Sequence, residues 1–95
     1  LECNKKNVFI PNAFTPNGDE INDIFIPRSS ILKSMKLVVF DRWGNQVFES
    51  NDINIGWDGI YKGQPATEDS YGYYFIGECS DGVKITIKGN VSLLR

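Results

Sequence analysis

The 95-residue chain predicts an all-β fold, an immunoglobulin-like antiparallel β-sandwich of about seven strands. Three observations carry that expectation. Apolar residues alternate with a period of two, and no stretch longer than a turn repeats at helical spacing. Clusters of Gly, Asn, Asp and Pro separate six or seven short β-favouring runs. The length suits a single domain with a modest core, which two packed sheets can supply.

Each run has its own reason. Residues 7–14, NVFIPNAF, read as a first strand interrupted by Pro11, which suits an edge position or a bulge. After a loop dense in Asn and Asp, residues 23–27, DIFIP, read as a short second strand. The strongest strand is 34–43, SMKLVVFDRW, with Met35, Leu37 and Val39 on one face and Lys36, Val38 and Phe40 on the other. Both faces are largely apolar at its centre, as a central strand requires. Gly44-Asn45 reads as the turn into a hairpin partner at 46–50, QVFES. Residues 51–70 are irregular. Residues 71–79, YGYYFIGEC, form an aromatic strand, and Ser80-Asp81-Gly82 turns it into the last one. There Val83, Ile85 and Ile87 alternate with Lys84, Thr86 and Lys88, and Gly89-Asn90 predicts a bulge that re-aims the final segment.

Composition excludes several functions. The net charge is −2, from 10 basic and 12 acidic residues, so no electrostatic footprint for nucleic acid exists. No apolar run approaches the roughly 20 residues that span a bilayer as a helix. The first residues, LECNKKN, lack the apolar core of a signal peptide, and with no initiating Met the chain reads as a fragment of a longer secreted protein. There is no histidine, which removes Ser/His/Asp and Cys/His catalysis and His-based zinc sites. Cys3 and Cys79 belong to no CxxC pair. They are either separate buried thiols or one disulfide. The disulfide is favoured: it would contribute about 4 kcal/mol in the chain-entropy picture and imply an oxidising compartment.

Four candidate sites follow. Asn17, Asp19, Asn22 and Asp23 offer hard oxygen ligands suited to Ca²⁺ around Gly18, although the EF-hand positions of Gly and Glu are unmet. A corner held by Asx-turns, stiffened by Pro16, explains the same residues more simply. Trp43 and Trp57, in DRWG and GWDG, could stack on sugar rings; as core plugs, with Gly44, Gly59 and Asp58 shaping their turns, they fill a small domain. Asp41, Asp58, Glu68, Asp69 and Glu78 could in principle form an acid/base pair, but a sandwich this small has little concavity to hold one, and surface solvation explains them more simply. Finally, the terminal segment with Lys88, Gly89, Leu93, Leu94 and Arg95 is either a last strand or an address read by a partner.

Five blocks, IPNAFTPNGDEIND, VFDRWGNQVFES, GWDGIYKGQPA, YGYYFIGEC and KGNVSLLR, resemble the gliding-motility-associated C-terminal domain. That is the type B sorting domain of the type IX secretion system of Bacteroidetes-type bacteria. The resemblance implies a non-enzymatic address on a large cargo protein, recognised in the periplasm as a folded unit. It further implies a partner of the PorP/SprF type in the outer membrane, and export to the cell surface or medium. No cofactor is required under that reading, with Ca²⁺ as an option. The contrasting hypothesis is an Ig-like adhesive or carbohydrate-binding module that uses Trp43, Trp57 and nearby tyrosines.

Overall fold

The computed structural model describes residues 3–16 and 23–94. After a 3₁₀ turn at Lys5–Asn7 come seven strands: β1 (Ala13–Phe14), β2 (Leu32–Phe40), β3 (Gln46–Ser50), β4 (Ile60–Tyr61), β5 (Gln64–Pro65), β6 (Asp69–Cys79) and β7 (Lys84–Leu93). They form a five-stranded sheet in the order β1-β7-β6-β2-β3 and a separate β4-β5 hairpin. The all-β fold is therefore the expected one, and its layering is compatible with an immunoglobulin-like sandwich. One pairing differs from a wholly antiparallel sheet: β1 lies parallel to β7, with Ala13 opposite Ser92 and Phe14 opposite Leu93. β1 enters the sheet from the covering layer rather than through a hairpin, so nothing forces it antiparallel.

Alternation dictates the sheet's inner face. Leu37 and Val39 of β2, Phe75 of β6, and Val91 and Leu93 of β7 are fully buried there, with Met35, Tyr71 and Ile85 nearly so. The β6-β7 register runs without a break from Asp69 opposite Leu93 to Glu78 opposite Lys84. The bulge expected at Gly89-Asn90 is thus absent. Gly89 keeps the phase because the Tyr73 ring lies across it; a Cβ at this position would come within 2.8 Å of the phenol oxygen. The slips occur elsewhere, between Leu32 and Ser34 against β6 and between Val39 and Phe40 against β3.

The covering layer is built differently. Phe9 and Arg28 exchange backbone hydrogen bonds of 2.8 and 2.7 Å, and Phe25 and Trp57 exchange bonds of 2.8 and 2.9 Å. These are isolated bridges, not strands, so the first expected strand is split into the Phe9 bridge and the two-residue β1, and the second is reduced to the single pairing point at Phe25. Pro11 and Pro27 explain the shortening, since neither can donate to a ladder. At Pro11 the chain crosses from the cover into the main sheet, where the Asn12 carbonyl accepts from Ser92 N–H. Trp57 fills the space between the layers. Its ring meets Tyr71 at 5.0 Å, Phe14 at 5.4 Å and Phe48 at 6.5 Å between centroids, and its Nε1 donates to the Ile60 carbonyl at 3.0 Å. Gly56 is required beside it: a Cβ would sit 2.5 Å from the Phe25 carbonyl oxygen and 2.6 Å from Ile26 Cβ. A disulfide joins Cys3 to Cys79 across 76 positions, with Cα atoms 6.1 Å apart, and ties the start of the cover to the end of β6.

Candidate functional site

The turn between β2 and β3 carries the most exposed aromatic side chain of the described residues. Asp41 N–H donates to the Asn45 carbonyl and Gly44 N–H donates to the Asp41 carbonyl, so Arg42 and Trp43 form the apex and Gly44, at φ +84°, closes it. The apex falls one or two residues earlier than Gly44-Asn45 suggests, and β2 ends at Phe40. That shift places Trp43 at the tip, where it is 77% exposed.

The turn is held from beneath. Asp41 Oδ1 accepts from the backbone N–H of Trp43 and of Asn45, both at 2.9 Å, and Oδ2 accepts from Asn45 Nδ2 at 3.2 Å. Desolvation pushes the Asp41 pKa up, but these bonds together outweigh it and leave the carboxyl below its ordinary value. Arg42 grips Asp69 of β6 with two bonds, Nε to Oδ2 at 2.9 Å and Nη2 to Oδ1 at 3.0 Å. The Ser70 N–H, foremost, and the Arg42 guanidinium lower the Asp69 pKa. The same guanidinium stands 5.8 Å from the Trp43 ring.

Between this turn and the β4-β5 hairpin lies an open cleft of about 390 Å³, floored by Val47 and Tyr71 and walled by Trp43 and Tyr61. Lys62 stands over the Tyr61 ring at 5.3 Å. Lys62, at φ +53°, and Gly63, at φ +78°, make the tight hairpin turn. The Arg42–Asp69 clamp and the Lys62–Tyr61 wall escape sequence reading, because 27 residues separate the first pair and nothing local announces it. The Asp41 cap escapes it too, because the strand expected over residues 34–43 runs through Asp41.

Other predicted residues fall into distinct places. Trp57 is fully buried, which corrects its use as a sugar-stacking surface and leaves Trp43 as the exposed tryptophan. Asp58 Oδ1 accepts from Ile60 N–H at 3.0 Å, a turn role. Gly59, at φ +82°, turns its open side toward Pro16 and Leu93, so three sequence blocks meet there. Leu93 is sealed in the core, which removes it from any surface a partner could touch, whereas Leu94 is exposed. Gly89 lies under Tyr73, and Lys88 is exposed on the outer sheet face with Nζ 5.4 Å from the Tyr74 ring. Of the Ca²⁺ set, Asn17, Asp19 and Asn22 lie outside the described residues, as do Gly18 and Arg95; Asp23 is described. Cys3, Cys79 and Asp81 bring ligand-type atoms within 4.8 Å of one another, but the two sulfurs are bonded to each other and offer no thiolate. No helix among the described residues is long and apolar enough to cross a membrane.

Comparison with known proteins gives one clear relation. The family described as CHU_C type IX secretion signal domain matches this chain over residues 8–93. No curated protein matches it.

Proposed function

The chain belongs to the CHU_C type IX secretion signal domain family, and from that premise we propose that it acts as a non-enzymatic sorting domain recognised in its folded form. Family membership supports the coarser part directly: a secretion signal that sends its cargo toward the cell surface or medium through the type IX machinery. The finer part, reading of the folded surface by partners that include a PorP/SprF-type outer-membrane protein, is our proposal.

One observation carries it. The last strand is not a loose tag but lies inside the sheet, with β1 on one side and β6 on the other. Val91 and Leu93 are fully buried, while Lys88 and Leu94 face outward. A partner can meet the terminal residues only as they are presented by the fold. Removing residues 90–95 would therefore take out core side chains and unfold the domain, so truncation cannot separate a linear signal from a folded one.

A point variant can. Trp57→Ala leaves the terminal residues untouched but empties the space between the layers. Pulse-labelled reporter fusions, followed for both export and degradation, should show the wild-type domain exported and the Trp57→Ala fusion retained. Export of the unfolded variant at the wild-type rate would mean that the address is linear. The non-enzymatic reading is supported by Asp41 and Asp69, whose hydrogen bonds hold both carboxyls below their ordinary value, so neither is suited to donate a proton at neutral pH.

A further inference from the structure

Resting on the sorting reading, we propose that the Arg42-Trp43 turn, together with the facing Tyr61-Lys62 wall, is the surface that docks a protein partner carrying carboxylates beside an apolar side chain. Three features of the turn and the neighbouring hairpin carry this. Trp43 is 77% exposed, and its Nε1 donates to no protein group among the described residues. Arg42 spends Nε and Nη2 on Asp69, which leaves its Nη1 edge without a protein acceptor among the described residues. Tyr61 forms the opposite wall of the cleft, and Lys62, next to it at the hairpin turn, holds its Nζ 5.3 Å from the Tyr61 ring.

The exposed polar groups of this apex are thus donors. The matching acceptors, Asp41 and Asp69, line the same cleft, but their oxygens are already engaged by Asn45, Trp43, Ser70 and Arg42. An occupant must supply acceptors of its own, and the two cations favour carboxylates. A neutral glycan is less well served, because its hydroxyls seek the carboxylates that the turn has already consumed. Rigidity adds to the case. The Asp41 cap and the bidentate Arg42–Asp69 pair fix the backbone and one neighbour of the indole, so little freedom is lost when the ring enters a pocket. Trp and Arg are among the residue types that carry most of the binding energy at protein interfaces.

The test uses the full chain fused to an exported reporter in a cell with a type IX system. Trp43→Ala removes no core contact, so its melting temperature should stay within about 2 °C of wild type. Its export should fall about tenfold, as for an interface hot spot. Lys62→Glu should lower export as well, since it repels a carboxylate-bearing partner. Lys33→Ala, at the exposed start of β2 and away from both the turn and the last strand, should leave export unchanged. Normal export of Trp43→Ala beside a functioning wild-type fusion overturns the docking surface and leaves the sorting reading standing. Normal or raised export of Lys62→Glu overturns the carboxylate-bearing partner. Loss of affinity for immobilised glycans in Trp43→Ala with export intact overturns the proposal in favour of a sugar site. If the wild-type fusion itself is not exported, the sorting reading fails and this inference falls with it.

Discussion

The five-stranded sheet and the layer that covers it achieve burial by opposite means. In the sheet, β6 and β7 pair without interruption and each side chain's position follows from its parity along the strand. In the cover, chain direction is held at two isolated bridges, by one short hairpin, by the buried Trp57 and by the Cys3–Cys79 bond. The sheet's stability is spread over many similar contacts. That of the cover is concentrated in a few unlike ones, so single changes should separate the two regions sharply.

The largest expected difference is at Trp57. Trp57→Ala should cost about 5 kcal/mol, at the top of the range for a buried aromatic, because ring contacts, volume and the Nε1 bond vanish together. A half-buried sheet residue such as Ile87, changed to Ala, should cost about 1–2 kcal/mol. Urea denaturation of both variants measures the contrast, and equal losses would erase it.

Next comes the disulfide. Replacing Cys3 and Cys79 by Ser should remove about 4 kcal/mol, since the bond closes a loop of 76 positions. The effect should still differ by region under native conditions. Amide exchange should quicken more at Phe9 and Arg28, whose bridge lies near the tethered end, than at the β6-β7 amides, which report the global loss alone. A uniform loss across both regions would show that the clamp serves the whole domain instead. Gly56→Ala should cost somewhat less, about 3 kcal/mol, because the new methyl meets the Phe25 carbonyl and must push the bridge apart. Measured melting near that of the wild type would mean the cover can shift at little cost.

The same contrast explains what could be read from the sequence. Strands β2, β3, β6 and β7 were legible because a two-residue period survives in one segment taken alone. The cover was not. Phe25 pairs with Trp57, 32 positions away, and Phe9 with Arg28, and no local pattern marks either contact. Gly89 misled for a related reason: a glycine in a strand suggests a bulge unless the facing Tyr73 is known to lie over it. The exposed site was half visible. Gly44-Asn45 announces a turn, but its apex depends on which carbonyl Gly44 reaches, and the Asp69 partner comes from a distant strand. The cysteine pairing was narrowed to two options by composition and decided by geometry.

The smallest effect tests whether the Trp43 turn belongs to the sheet or merely hangs from it. Asp41 and Asp69 have folded pKa values below the ordinary one, so each binds its proton more weakly in the native state than in the unfolded chain. Their contribution to stability is complete above the unfolded value, near pH 4, and is lost as the pH falls through the folded values. Both carboxylates are solvent-exposed and salt-screened, so the change should be confined to the turn. In an NMR titration, the Trp43 and Asn45 amides should shift below about pH 4, while the β6-β7 amides stay in place. Arg42→Ala should then raise the Asp69 midpoint toward the ordinary value, because the guanidinium is one of the groups that hold it down. Asp41 should keep its own depressed midpoint, since Asn45 and Trp43 supply its hydrogen bonds. If both midpoints moved together, the turn and the β6 strand would be one electrostatic unit. If neither moved, the Arg42–Asp69 pair would not persist in solution, and the indole would lose the neighbour that holds its surroundings rigid.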